Sequence, residues 1–108
     1  MDILYTRYTI SLSRSFTVQL NNILFYLDFN LQNPFASKEL YLKIVASLEN
    51  LEIFPRLYQK ITSKRYFNKE IRRLVVSNYV IIYEVDDKSH KVNLLHIFHS
   101  SQDYLHLL

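Results

Sequence analysis

Polar and apolar positions change period twice along this chain. From Leu4 to Leu12, LYTRYTISL, Tyr, Thr, Ile and Leu alternate with polar or small residues, the period-2 pattern of a half-buried strand. Ser13 or Ser15 then caps a helix whose apolar residues Phe16, Leu20, Ile23, Leu24, Leu27 and Leu31 recur at a spacing near 3.6, and Asn30 to Asn33 ends it. Asn33-Pro34 supplies a second cap and a proline whose missing N–H costs nothing at the first helical position. The next stripe is Tyr41, Ile44, Val45, Leu48 and Leu51, and Pro55 stops that helix near Ile53 because the residue before a proline disfavours the α region. Two amphipathic helices a few residues apart predict an antiparallel hairpin, about Ser15 to Ile53.

Arg56 to Asn68 shows no period and reads as a loop with a short turn. Three runs rich in Val, Ile, Leu, Phe and Tyr follow: Ile71 to Val76, Tyr79 to Val85 and Lys91 to His99, separated by Ser77-Asn78 and by Asp86 to His90. They predict an antiparallel meander. The tail Gln102 to Leu108 adds one helical turn or covers a sheet edge. The order is β-α-α-β-β-β, a single α+β domain over residues 1–108, with the hairpin on one face of a four-stranded, mostly antiparallel sheet. Leu20, Ile23, Leu24, Leu27, Ile44, Val45, Leu48, Ile81 and Leu94 are the expected core, and the sheet face away from the hairpin is the one left for function.

Composition narrows the chemistry. The chain of 108 residues contains no Cys, which removes disulfides, thiolate catalysis and cysteine-based zinc sites. It contains no Gly, which excludes the phosphate-cradling loops of nucleotide enzymes and the nucleophile elbow. No cofactor is expected. No apolar run approaches the roughly 20 residues that span a bilayer, and Asp2 follows Met1 where a secretory leader would be basic. A cytoplasmic location without membrane contact is the expectation.

Charge is unevenly distributed. Net charge is only +3, yet Arg56, Lys60, Lys64, Arg65, Lys69, Arg72 and Arg73 place seven of the 13 basic residues within 18 positions, with Glu70 the single acid among them. Tyr58, Tyr66 and Phe67 interleave with them. Cations mixed with aromatic rings suit a phosphate backbone and stacked bases, and suit an acidic protein segment equally well; a solvated loop is the plain alternative. Lys64, Arg65, Lys69, Arg72 and Arg73 are the candidate target-binding residues.

Other candidates are sparse. His96 and His99 lie three apart on a strand, so alternation sends them to opposite faces, and no carboxylate completes a metal site. His99, ending a strand near the basic segment, has the ordinary pKa of about 6.5 that suits general acid or base work, although a satisfied or solvent-facing histidine is the commoner case. Asp86-Asp87 reads as a turn, and Ser100-Ser101 beside His99 is not by itself the arrangement that activates a hydroxyl. Tyr104 lies within reach of the open face.

The words IRRLVVSNYVIIYEVDDKSHKVNLLHIFHSSQD, with Asn33 to Ala36 and the apolar word ending at Pro55, resemble the RelE/ParE superfamily of type II toxin–antitoxin toxins over nearly the whole chain. The resemblance implies a growth-inhibiting toxin, plasmid stabilisation, and a cognate antitoxin that neutralises a basic face. It also implies one of two targets: DNA gyrase, or mRNA on the ribosome. In nuclease branches an arginine commonly follows the middle-strand tyrosine, to stabilise phosphate charge in the transition state; here Val80 follows Tyr79. Ile71 is apolar where some of those branches carry a second cation. On the nuclease alternative Arg73 supplies charge and His99 moves a proton, with Tyr104 behind it as a third catalytic candidate. A non-toxic module that binds protein or nucleic acid is the further alternative.

Overall fold

A computed structural model describes residues 7–108. Within them β1 (Thr9–Leu12) leads into α1 (Arg14–Phe25), a five-residue π-helical turn (Tyr26–Asn30) and α2 (Pro34–Ile53). Then follow β2 (Gln59–Ile61), β3 (Ile71–Val76), β4 (Tyr79–Asp86), β5 (Lys91–His99) and the single turn α3 (Tyr104–Leu107). The caps are those the sequence advertises. Ser13 Oγ accepts the Phe16 N–H at 3.0 Å, and Asn33 Oδ1 accepts the Ala36 N–H at 3.1 Å with Pro34 in the first turn. The part of the expected first strand before Arg7 lies outside the described residues.

The sheet corrects the four-strand expectation. It has five strands in the order β1-β5-β4-β3-β2, with β1 parallel to β5 and every other pairing antiparallel. The added strand is Gln59–Ile61, inside the segment read as loop. Three residues, two of them polar, are too few to show a period, and only pairing with Ile71–Arg73 makes them a strand. With no glycine to take the left-handed region, Gln32, Ser77 and His90 occupy it at turns with φ near 50°, each at a cost of about 1–2 kcal/mol.

The hairpin covers one face as expected. Phe16, Leu40, Ile44 and Leu51 meet Leu74, Val76, Ile81, Tyr83, Val85, Val92, Leu94 and Ile97 in the main core. Of the expected core residues, Ile44, Ile81 and Leu94 are fully buried. Leu20, Ile23, Leu24, Leu27, Val45 and Leu48 are only half-buried, because a helix on a sheet faces solvent along its flanks. Tyr83 runs through this core, and its hydroxyl donates to the Pro55 carbonyl at 2.7 Å.

The opposite face is not open, contrary to expectation. Ile71, Val80, Ile82 and Phe98 form a second buried cluster beneath Ile61, Tyr66, Leu95, Tyr104 and Leu108, so the basic loop and the tail act as its lid. Burying apolar area on both faces is what a chain with 49% hydrophobic residues has the material to do. Among the described residues no helix is long and apolar enough to cross a membrane.

Candidate functional site

Register decides where the candidates point. In β3 Arg72 shares a side with Leu74 and Val76 toward the hairpin, whereas Arg73 pairs with Ile82 on the second face. In β5, Ile82 pairs with His96 but Tyr83 pairs with Leu94, which leaves Leu95 as an extra residue. This bulge reverses the alternation. Val92 and Leu94 before it, and Ile97 after it, all face the main core, while Phe98 joins the second cluster. His99 follows Ile97: its ring sits edge-on to Tyr79 with centroids 5.4 Å apart, beside Asn22 and Gln102.

Arg73 and Tyr104 are therefore brought together, and His99 is directed away from them. The Arg73 guanidinium donates through Nη1 to the Tyr104 hydroxyl and through Nε to Gln59 Oε1 at 3.0 Å. His99 Nδ1 accepts the Ser101 N–H at 3.1 Å and lies 2.7 Å from Ser101 Oγ. Val80 and Ile71 are 2% and 1% exposed, so the two positions at which the resemblance made a cation the mark of a nuclease hold buried aliphatic groups of the second cluster.

His96 is the histidine that does reach the second face. Its ring stacks on Phe98 at 5.2 Å and approaches the Tyr66 hydroxyl and Gln19 Nε2. Burial, with Arg65 nearby, lowers its pKa and favours the neutral ring. Gln19 had no signal in the sequence beyond its place on α1. Beyond the end of β1 the edge of β5 has no strand partner among the described residues, and Gln19 Oε1 accepts the Ile97 N–H there at 2.9 Å.

The seven clustered cations divide into two sets. Arg56 holds Glu70 in a two-pronged contact at 2.9 and 2.7 Å and also reaches Asp87 at 2.7 Å. Arg72 bonds the same Glu70 at 2.8 Å and the Tyr58 carbonyl at 2.7 Å, and Lys69 pairs with Glu84 at 3.3 Å. Tyr8 closes the clamp by donating to Asp87 at 2.6 Å. Partial burial pushes the Glu70 carboxyl up, but the Arg56 and Arg72 guanidiniums outweigh it and hold it below the ordinary range. The hydrogen bonds from Arg56 and then Tyr8 hold Asp87 low as well.

Lys60, Lys64, Arg65 and Arg73 make no ion pair among the described residues. Arg65 lies over the Tyr66 ring at 5.8 Å, and Lys60 and Lys64 line a groove of about 480 Å³ beside Phe67. Of the expected target-binding residues, Lys64, Arg65 and Arg73 thus keep uncompensated charge, whereas Lys69 and Arg72 are tied to carboxylates. Lys60 is the member of the unpaired set absent from the expected binding residues; lying in an unrecognised strand, it gave no positional signal.

The ParE toxin family, described as the toxin of the type II parDE toxin–antitoxin system, matches residues 10–104. A solved structure of the chromosomal ParDE system from P. aeruginosa aligns with a TM-score of 0.64 at 14% identity, covering 88% of this chain and 98% of that one. The toxin–antitoxin complex RelBE2 from Mycobacterium tuberculosis aligns at 0.54 with 17% identity, covering 94% and 100%. No curated protein sequence matches significantly.

Proposed function

The chain belongs to the ParE toxins of type II toxin–antitoxin systems, and from that premise we propose that it inhibits growth by binding DNA gyrase in the cytoplasm, not by cutting RNA. The observation that carries this reading is the sheet bulge at Leu95, which directs His99 away from Arg73. Cleaving RNA without a metal needs a base for the 2′-hydroxyl, charge on the scissile phosphate and a proton for the leaving oxygen, all around one phosphorus atom. Val80 and Ile71 supply no charge, and Arg73 has a tyrosine beside it where a histidine would be needed. Binding requires only cations that no acid neutralises, and among the described residues Lys60 and Lys64 at one groove, Arg65 beside Tyr66 and Arg73 beside Gln59 are such cations.

A cognate antitoxin completes the reading. Phe25, Phe29, Phe35 and Leu42 on the hairpin are all more than half exposed, apolar area that a partner would cover, and an acidic partner segment would neutralise the unpaired cations. The test is to express the chain without antitoxin and follow plasmid supercoiling and mRNA ends in parallel. Loss of supercoiling with intact mRNA is the expected result. Codon-phased mRNA cleavage that disappears in Arg73→Ala or His99→Ala overturns it in favour of the nuclease.

A further inference from the structure

Phe67 is the feature that neither the fold nor the gyrase reading uses. It is 85% exposed, belongs to neither core cluster, and lies on the loop that turns at Tyr66 and Lys69 between β2 and β3. A benzyl group held in water forfeits roughly the burial free energy of a core side chain, and the loop already has Tyr66 to anchor it on the second cluster. The ring lines the groove together with Lys60, Lys64 and the Thr62 and Ser63 residues. Among the described residues neither lysine has an acid partner, whereas Lys69, at the same groove, is held by Glu84. The groove's volume of about 480 Å³ falls in the range of small-ligand sites.

We propose that this groove is a single-stranded nucleic-acid site, in which Phe67 stacks on one unpaired base while Lys60 and Lys64 neutralise the flanking phosphates. The inference deepens the binding-toxin reading and rests on it for its setting, a target that handles opened DNA. An exposed ring stacks only on a base whose face is free, which favours single strand over duplex. Two ammonium groups act as point charges on phosphates, and the hydroxyls of Thr62 and Ser63 are of the type that donates to phosphate oxygens. An acidic peptide would satisfy the lysines but leave the flat face of Phe67 unused.

The experiment measures fluorescence anisotropy of labelled oligonucleotides of about 12 nucleotides, as single-stranded DNA, single-stranded RNA and duplex DNA, with the purified full-length toxin across a salt series. Single strands should bind more tightly than duplex. Phe67→Ala should weaken them about tenfold, and Phe67→Trp should restore binding with quenched indole emission on stacking. Lys64→Gln should reduce the slope of log K against log salt by about 0.7, one phosphate contact. Because Phe67 is exposed, the thermal melt of each Phe67 variant should match the parent. The DNA and RNA arms report which backbone is preferred; equal affinity supports the shared site. Duplex binding as tight as single strand, an unchanged affinity in Phe67→Ala, or binding only to an acidic peptide used as competitor overturns the proposal. Supercoiling measured in parallel separates the two claims. Single-strand binding with no effect on gyrase sinks the gyrase reading alone, and gyrase inhibition that survives Phe67→Ala with no oligonucleotide bound sinks this one alone.

Discussion

Arg72 and Arg73 are adjacent in the chain and lead opposite lives. Arg72 points toward the hairpin, 15% exposed, and shares Glu70 with Arg56 in a clamp that also takes in Asp87 and Tyr8. That clamp ties the residue before β1, the loop after α2, the start of β3 and the β4–β5 turn at one corner. Arg73 points to the other face, where its partners are the neutral side chains of Gln59 and Tyr104. With Lys60, Lys64 and Arg65 it makes up a second set whose charge is not cancelled. Seven cations that look like one basic patch are thus two in a clamp, one paired with Glu84 and four left unpaired among the described residues, the set we propose for docking. The lesson is that local charge in a sequence overstates the charge available to a partner, because acids distant in sequence, here Glu84 and Asp87, return in the fold to neutralise part of it.

Reversing the unpaired set should produce the largest effect. Lys60→Glu with Lys64→Glu and Arg65→Glu is expected to abolish growth inhibition while the melting temperature stays at the parent value, because exposed substitutions away from special features shift stability by about 0.5 kcal/mol or less. Retained toxicity in that variant would dissolve the distinction between the sets. Glu70→Gln should do the reverse: it leaves the mostly buried Arg72 without a counter-charge and Arg56 with Asp87 alone, and should cost about 2 kcal/mol, read as a lower urea midpoint at unchanged slope, with toxicity kept at conditions where the variant is folded.

The clamp should also show in acid. Glu70 has a folded pKa below its unfolded value of about 4.3, so its contribution is fully present above that value and is lost as pH falls through the lowered folded one. Asp87 acts in the same direction. Urea midpoints measured from neutral pH downward should fall in the parent across that window, and the fall should be shallower in Glu70→Gln. The smallest effect is expected from Tyr104→Phe. It removes one hydrogen bond from Arg73 and should cost about 1 kcal/mol in stability, seen in the thermal melt, with growth inhibition unchanged. A strong loss of toxicity in this variant at intact stability would place Tyr104 in the toxin's action.

Most of the fold is legible because each signal is local. Asn33-Pro34 and Pro55 bracket α2 through backbone constraints that need no tertiary partner, and Ser13 caps α1 with its own side chain. The hairpin face and the meander follow from periodicity. Gln59–Ile61 escapes, being too short and too polar, and so does the second core: an apolar residue such as Val80 in a doubly covered strand looks the same as one facing a ligand.

The candidate site divides along the same line. Which residue types are present is readable along the chain: a basic segment interleaved with aromatics, an aliphatic residue at 80, and alternation that separates His96 from His99. Tertiary structure alone decided which of them meet. One extra residue at Leu95 shifts the parity of β5, and because side chains alternate with a period of two, that single insertion directs His99 to Tyr79 and away from Arg73. Pairing across distant segments likewise chose Glu70, Glu84 and Asp87 as partners for three of the seven cations. A bulge and an ion pair are both properties of two strands at once, and no window of one strand's sequence contains them.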